Sequence, residues 1–260
     1  LPFGDIHRSS DLCDIDKWYK FLEWAEKKQD SYFLGMGDYD DLSSTSERPI
    51  LEAHQLHKST RSTLEEVYDR NVRLLCKEIS FMRGRLIGLI EGNHYSTFMD
   101  GTTTTQRMCQ YLNCKYLGVS AFIRLVLSKT SIRLARHSLS LDVWAHHGLA
   151  GGRLIGSSMN SVQRMEEIAE ADIFLSGHDH KKSLATMSKL YLSQSKNNFQ
   201  LNHKKILLGR TGSFLKGYVQ GKTSYVADAA MRPSDLGTIK IEITMNSAGG
   251  RKWIDVHGSL

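Results

Sequence analysis

The sequence predicts an α/β protein in which two packed, mixed β-sheets are flanked by helices, and three observations predict it. Helical and short apolar stretches alternate through the first half, strand-like stretches dominate the second, and chemistry-bearing polar residues recur where apolar runs end. A chain of 260 residues can bury one large core, so residues 1–260 are expected to form one domain with a surface excursion at 43–63.

Taken in order, residues 16–29 place Trp18, Phe21, Leu22 and Ala25 on one helical stripe, and the apolar run 32–36 then reads as a buried strand ending at Gly37-Asp38. The excursion 43–63 is rich in Ser and Thr, holds Pro49, and carries His54 and His57 three residues apart. That spacing can share a helical face, but a histidine pair without further ligands is ordinarily solvated. A helix over 63–82 leads into a strand over 86–90, which ends at Gly92-Asn93-His94. Strands follow near 116–127, 132–136 and 142–147, then an amphipathic helix near 158–170 and a strand over 173–176 that ends at Gly177-His178-Asp179-His180. Strand-like segments near 206–209 and 236–244 complete the chain.

Composition bounds the function. The chain is 40% hydrophobic and 24% charged, and no apolar run approaches the roughly 18 residues of a membrane span. No secretory leader is visible, so a cytoplasmic location is expected, conditional on residues preceding Leu1; the few residues ahead of Asp5 are short for a central strand. Cys13, Cys76, Cys109 and Cys114 lack a paired spacing and read as reduced thiols. The net charge of +6 suits an anionic substrate without identifying it.

Five clusters carry the chemistry: Asp5-x-His7, Gly37-Asp38-x-x-Asp41, Gly92-Asn93-His94, His146-His147-Gly148 and Gly177-His178-x-His180. Together they offer carboxylate, imidazole and amide donors after strands, and a pair separated by one residue can grip one ion from a turn. Any one cluster occurs by chance, whereas five in this order are hard to explain as turn or capping residues.

This order of motifs resembles that of the calcineurin-like metallophosphoesterase superfamily, over the span Asp5 to His180. The resemblance implies a four-layer sandwich and two divalent ions drawn from Mn, Fe, Zn, Co or Ni, with Mn favoured. It also implies that Asp5, His7 and His180 hold the first ion, Asn93, His146 and His178 the second, and that Asp38 bridges them. His146 is preferred to His147 because the string His146 to Leu149 resembles the one around the metal-binding histidine of the superfamily's serine/threonine phosphatases. Tyr95 departs from the pattern, standing where an acidic residue is usual.

The implied function is hydrolysis of phosphate esters by a metal-bridging hydroxide, leaning to phosphodiesters, nucleotide or nucleic acid, because of the basic balance and of Lys181 and Lys182 after His180. His94 is the expected general acid, oriented by Asp41. Asn93 and Arg153, the latter in the glycine-rich stretch 148–156, are the expected substrate contacts. The alternatives are a phosphomonoesterase acting on a small molecule or phosphoprotein, and a noncatalytic, metal-stabilised nucleic-acid-binding protein. Substrate, native metal and oligomeric state are not legible.

Overall fold

The computed structural model describes all residues except 45, 53–55, 129–137, 149–151, 196–197 and 250. In chain order the elements are β1 (Pro2–Phe3), α1 (Ile15–Glu26), β2 (Phe33–Gly35), α2 (Arg48–Glu52), α3 (Lys58–Glu78), β3 (Leu86–Leu89), α4 (Thr104–Leu112), β4 (Ser120–Leu127) and β5 (Leu139–His146). There follow α5 (Ile155–Gln163), β6 (Ile173–Ser176), β7 (Lys182–Ser195), β8 (Asn198–Thr211), α6 (Tyr225–Asp228), β9 (Lys240–Ala248) and β10 (Arg251–Ser259). The expected strand near 132–136 lies outside the described residues.

The strands form a parallel sheet in the order β1-β2-β3, a mixed sheet in the order β4-β5-β6-β8-β7, and the antiparallel hairpin β9-β10. Strand alternation decides what each face meets. From the first sheet, Leu34, Met36 and Ile90 turn inward against Leu141, Val143, Ala145, Ile173, Leu175 and Leu207 of the second. Phe3, Phe33 and Leu89 turn outward onto Trp18, Leu22 and Ala25 of α1, Val72 and Leu75 of α3, and Met108 and Leu112 of α4. On the far side, Trp144, Phe174, Ile206 and Leu208 pack under Val162 of α5 and Met165. The result is an α/β arrangement of four layers: helices, parallel sheet, mixed sheet, helix.

Several elements extend beyond the sequence expectation. Helix α3 starts at Lys58, where the His57 ring accepts the Ser59 N–H at 3.3 Å. His57 is therefore a helix cap; His54, its expected companion, lies outside the described residues. Helix α4 was not anticipated, although Thr103 and Gln106 form a reciprocal capping box at its start. The excursion is anchored, not free: Ser43 Oγ donates to the Tyr95 carbonyl at 2.8 Å, and the Arg48 guanidinium stacks 3.5 Å from the Tyr95 ring centroid while donating to the Asn93 carbonyl. Among the described residues no helix is long and apolar enough to cross a membrane.

Candidate metal centre

Strands β1, β2, β3, β5 and β6 are mutually parallel within their sheets and release their C-terminal ends at one edge of the sandwich. Asp5, Asp38, Asn93, His147 and His178 follow those ends within four residues, which is how motifs far apart in sequence meet. The backbone is bent to aim them. Asp5, His7, Asp38, His178 and His180 all adopt positive φ, between 47° and 71°. Such conformations cost about 1–3 kcal/mol each for residues with a Cβ and concentrate where function demands a geometry. The expected route, two side chains on one side of an extended segment, is thus realised as left-handed turns. Gly37, at φ 100°, admits the His147 ring, because a Cβ there would lie 2.5 Å from Nδ1.

The donors fall into two groups. In the first, His7 Nε2 and His180 Nε2 stand 3.2 Å apart, and His180 Nε2 lies 3.5 Å from Asp5 Oδ1. In the second, Asn93 Oδ1 lies 2.9 Å from His147 Nε2 and 2.7 Å from His178 Nδ1. Asp38 connects them: its Oδ2 is 3.2 Å from His147 Nε2 and 3.9 Å from His7 Nε2, while its Oδ1 accepts the His94 N–H at 2.9 Å. Asp5 in turn accepts the His178 N–H at 3.0 Å, which fixes the turn after β6.

These residues fit a divalent cation in each group. Donors on a sphere of about 2.1 Å radius sit about 3.0–3.4 Å apart in octahedral or tetrahedral coordination, and these atoms lie 2.7 to 3.9 Å apart, around those spacings. The His147 Nδ1–H donates to the Met36 carbonyl at 2.7 Å, which leaves Nε2 directed at Asp38 and Asn93. Two buried carboxylates amid imidazoles also leave charge that only a proton or a cation can balance. Burial pushes the Asp5 carboxyl up to about 7. Burial works to lower His147, but the adjoining Asp38 overrides it and raises the ring to about 9. Burial, and then the facing His7, hold His180 down at about 3.

Asp41 Oδ1 lies 2.6 Å from His94 Nδ1 and 3.2 Å from His7 Nδ1. Both contacts are short enough for an ion pair, so Asp41 is coupled to the two rings at once. Burial alone would raise the Asp41 carboxyl, yet the two imidazoles hold it well below the usual range.

One assignment is corrected. The structure brings His147, not His146, to Asp38, Asn93 and His178. Along β5 the residues Leu141, Val143 and Ala145 face the other sheet and Trp144 faces α5; His147 continues the first set and His146 the second. His146 Nδ1 instead accepts the Gly148 N–H at 2.7 Å. Arg153 is exposed and stands apart from the cluster's contacts among the described residues. Lys181 pairs with Asp179 at 3.5 Å and donates to the Gly152 carbonyl, and Lys182 pairs with Asp235 at 2.7 Å, so both lysines are engaged within the fold.

Sequence reasoning missed Arg210. It stands opposite Ser176 on β8 and is 1% exposed. Its guanidinium donates to the Gly177 carbonyl at 2.7 Å, to Ser176 Oγ at 3.0 Å and to the Ser158 carbonyl of α5 at 3.1 Å, and it lies 3.5 Å from Asp179. It thereby clamps the turn that presents His178 and His180. Only its place directly after the short apolar run 206–209 could have signalled it.

No family model matches the sequence, and no curated protein matches it. Among solved structures, the chain is similar to vacuolar protein sorting 29 from Cryptosporidium parvum, at 12% identity and a TM-score of 0.33, covering 100% of this chain and 96% of that one. A single-substitution variant of the Entamoeba histolytica protein of the same name gives 14% identity and a TM-score of 0.31, covering 100% and 98%. At these scores the likeness is remote, and the functional case rests on the side chains themselves.

Proposed function

We propose that this chain is a metal-dependent phosphoesterase of the calcineurin-like superfamily, using two divalent ions, with manganese favoured, and leaning to phosphodiesters. The observation that carries the reading is the position of Asp38 Oδ2, within 3.9 Å of an imidazole nitrogen of each donor group. Asp5, His7 and His180 would hold one ion, Asn93, His147 and His178 the other, and Asp38 both. When bound, such a pair supplies a water of lowered pKa and positive charge at the phosphoryl oxygens.

The protein's own part is positioning and proton supply. His94 is held by its backbone N–H on Asp38 and by its ring beside Asp41, and its ring is partly exposed, so Nε2 can face a leaving oxygen. The Asp41 carboxylate steadies the His7 ring from its far side, which leaves Nε2 beside His180 Nε2, where the two would hold one ion with Asp5. The structural engagement of Lys181 and Lys182 shifts the weight within phosphodiesters from nucleic acid towards small nucleotides.

The test is a panel of bis-nitrophenyl phosphate, nitrophenyl phosphate, cyclic nucleotides and single- and double-stranded DNA, with and without added Mn²⁺. The expected outcome is Mn²⁺-dependent turnover of the bis-ester above the monoester. No metal-dependent turnover of any member would refute the enzymatic reading.

A further inference from the structure

The hairpin β7-β8 continues past the sheet that holds it. Strand β6 pairs with β8 only from Ile173↔Leu207 to Ser176↔Arg210, whereas β7 and β8 remain paired out to Ser195↔Asn198. Beyond Ile206 the two strands therefore form an arm of eight residues per strand, from Ser188↔Lys205 to Ser195↔Asn198, about 26 Å long at about 3.3 Å per residue. A two-stranded ribbon without a backing element is marginally stable in water.

The arm has two unlike faces. The pairs Leu190↔His203, Leu192↔Leu201 and Gln194↔Phe199 place these six side chains on one face, in the parity that turns Leu184 and Leu207 into the core. The core-facing alternation thus runs on where the fold no longer covers it. Leu190, Leu192, Phe199 and Leu201 are 61%, 69%, 68% and 62% exposed. Lys205, the one charged residue of this face, lies at the base of the arm and donates to the Val256 carbonyl at 3.0 Å. At the arm's base the opposite face is tied down, with Lys189 bonded to Glu166 at 2.7 Å and Lys204 to Asp172 at 2.9 Å.

We infer that this face is a homodimer interface, packing against the same face of a second copy about a twofold axis. The outer part of this face, beyond Lys205, is apolar and without charge, so it is complementary to itself, as an isologous contact requires. The four side chains expose on the order of 500 Å² per copy, so a pair would bury about 1,000 Å², the lower bound for a specific association. With the lysines at the base engaged, the arm lacks the cationic rim that a lipid surface would require.

Sedimentation velocity from about 1 to 100 μM tests this, with a monomer–dimer equilibrium of micromolar Kd expected. Leu192→Lys with Leu201→Lys should raise Kd by at least about 100-fold while leaving the thermal midpoint and metal content unchanged. Tyr191→Lys, on the opposite face, should change Kd by less than about threefold. If the double variant loses its cooperative melt, Leu201→Asn alone should weaken the dimer in the same direction. A wild-type chain that stays monomeric throughout, or equal dissociation by Tyr191→Lys, would overturn the inference.

Discussion

His146 and His147 are separated by one peptide bond and by the face of β5 that each continues. The resemblance of a short string favoured the first; the alternation Leu141, Val143, Ala145 against Trp144, visible in the same sequence, favours the second. His147→Ala should lower the affinity for one of two ions by about 10-fold or more, with His146→Ala leaving both near wild type, as metal titration followed by mass spectrometry would read. The reverse ranking would restore the string-based assignment. His94 is distinguished from the proposed ligands by the chemistry proposed for it. His94→Ala should keep the metal content but slow esters of poor leaving groups by about 10²–10⁴-fold, and nitrophenyl esters by much less, since nitrophenolate departs without a proton. Equal losses on both ester types, measured by steady-state turnover, would remove its role as an acid.

At the scale of elements, what was legible followed the strength of the local pattern. The strand 173–176 and the stripe of α1 match expectation because unbroken apolar runs and a helical period leave little choice. Helix α4 was missed because only its capping box announces it, in a run of threonines that resembles a loop. The long hairpin β7-β8 was missed because strand alternation is weak evidence unless one knows what covers each face. Arg210 lies deeper still, since its meaning depends on β8 lying beside β6. Arg210→Met would leave the Gly177 and Ser158 carbonyls without this donor, at about 1–3 kcal/mol each, and loosen the turn that carries one histidine to each donor group. It should lower the affinity for both ions by about 10–100-fold, and Arg210→Lys should not rescue it, because an ammonium cannot reproduce the fork. Calorimetric titration with Mn²⁺, beside a thermal melt, reads both quantities; rescue by lysine would mean that the charge, and not the geometry, matters.

Across the whole molecule, two sheets of different parentage converge their strand ends on one edge, and the site exists only where they meet. The motifs, their order and six of the seven ligand positions now proposed were legible, because each motif is local; the mutual distances were not, because they depend on the packing of Leu34, Met36 and Ile90 against Val143 and Leu175. The left-handed turns at Asp5, His7, Asp38, His178 and His180 are a shared cost that makes sense if the side chains they aim have a common occupant.

Metal stoichiometry in the wild type and in Asp38→Asn tests that account most directly, because Asp38 Oδ2 lies near an imidazole nitrogen of each donor group. The wild type should bind two Mn²⁺ per chain, with His180→Ala weakening mainly one of them. Asp38→Asn should weaken both and abolish hydrolysis of bis-nitrophenyl phosphate. Two tightly held ions and full activity in Asp38→Asn, or a wild type that binds none, would contradict it.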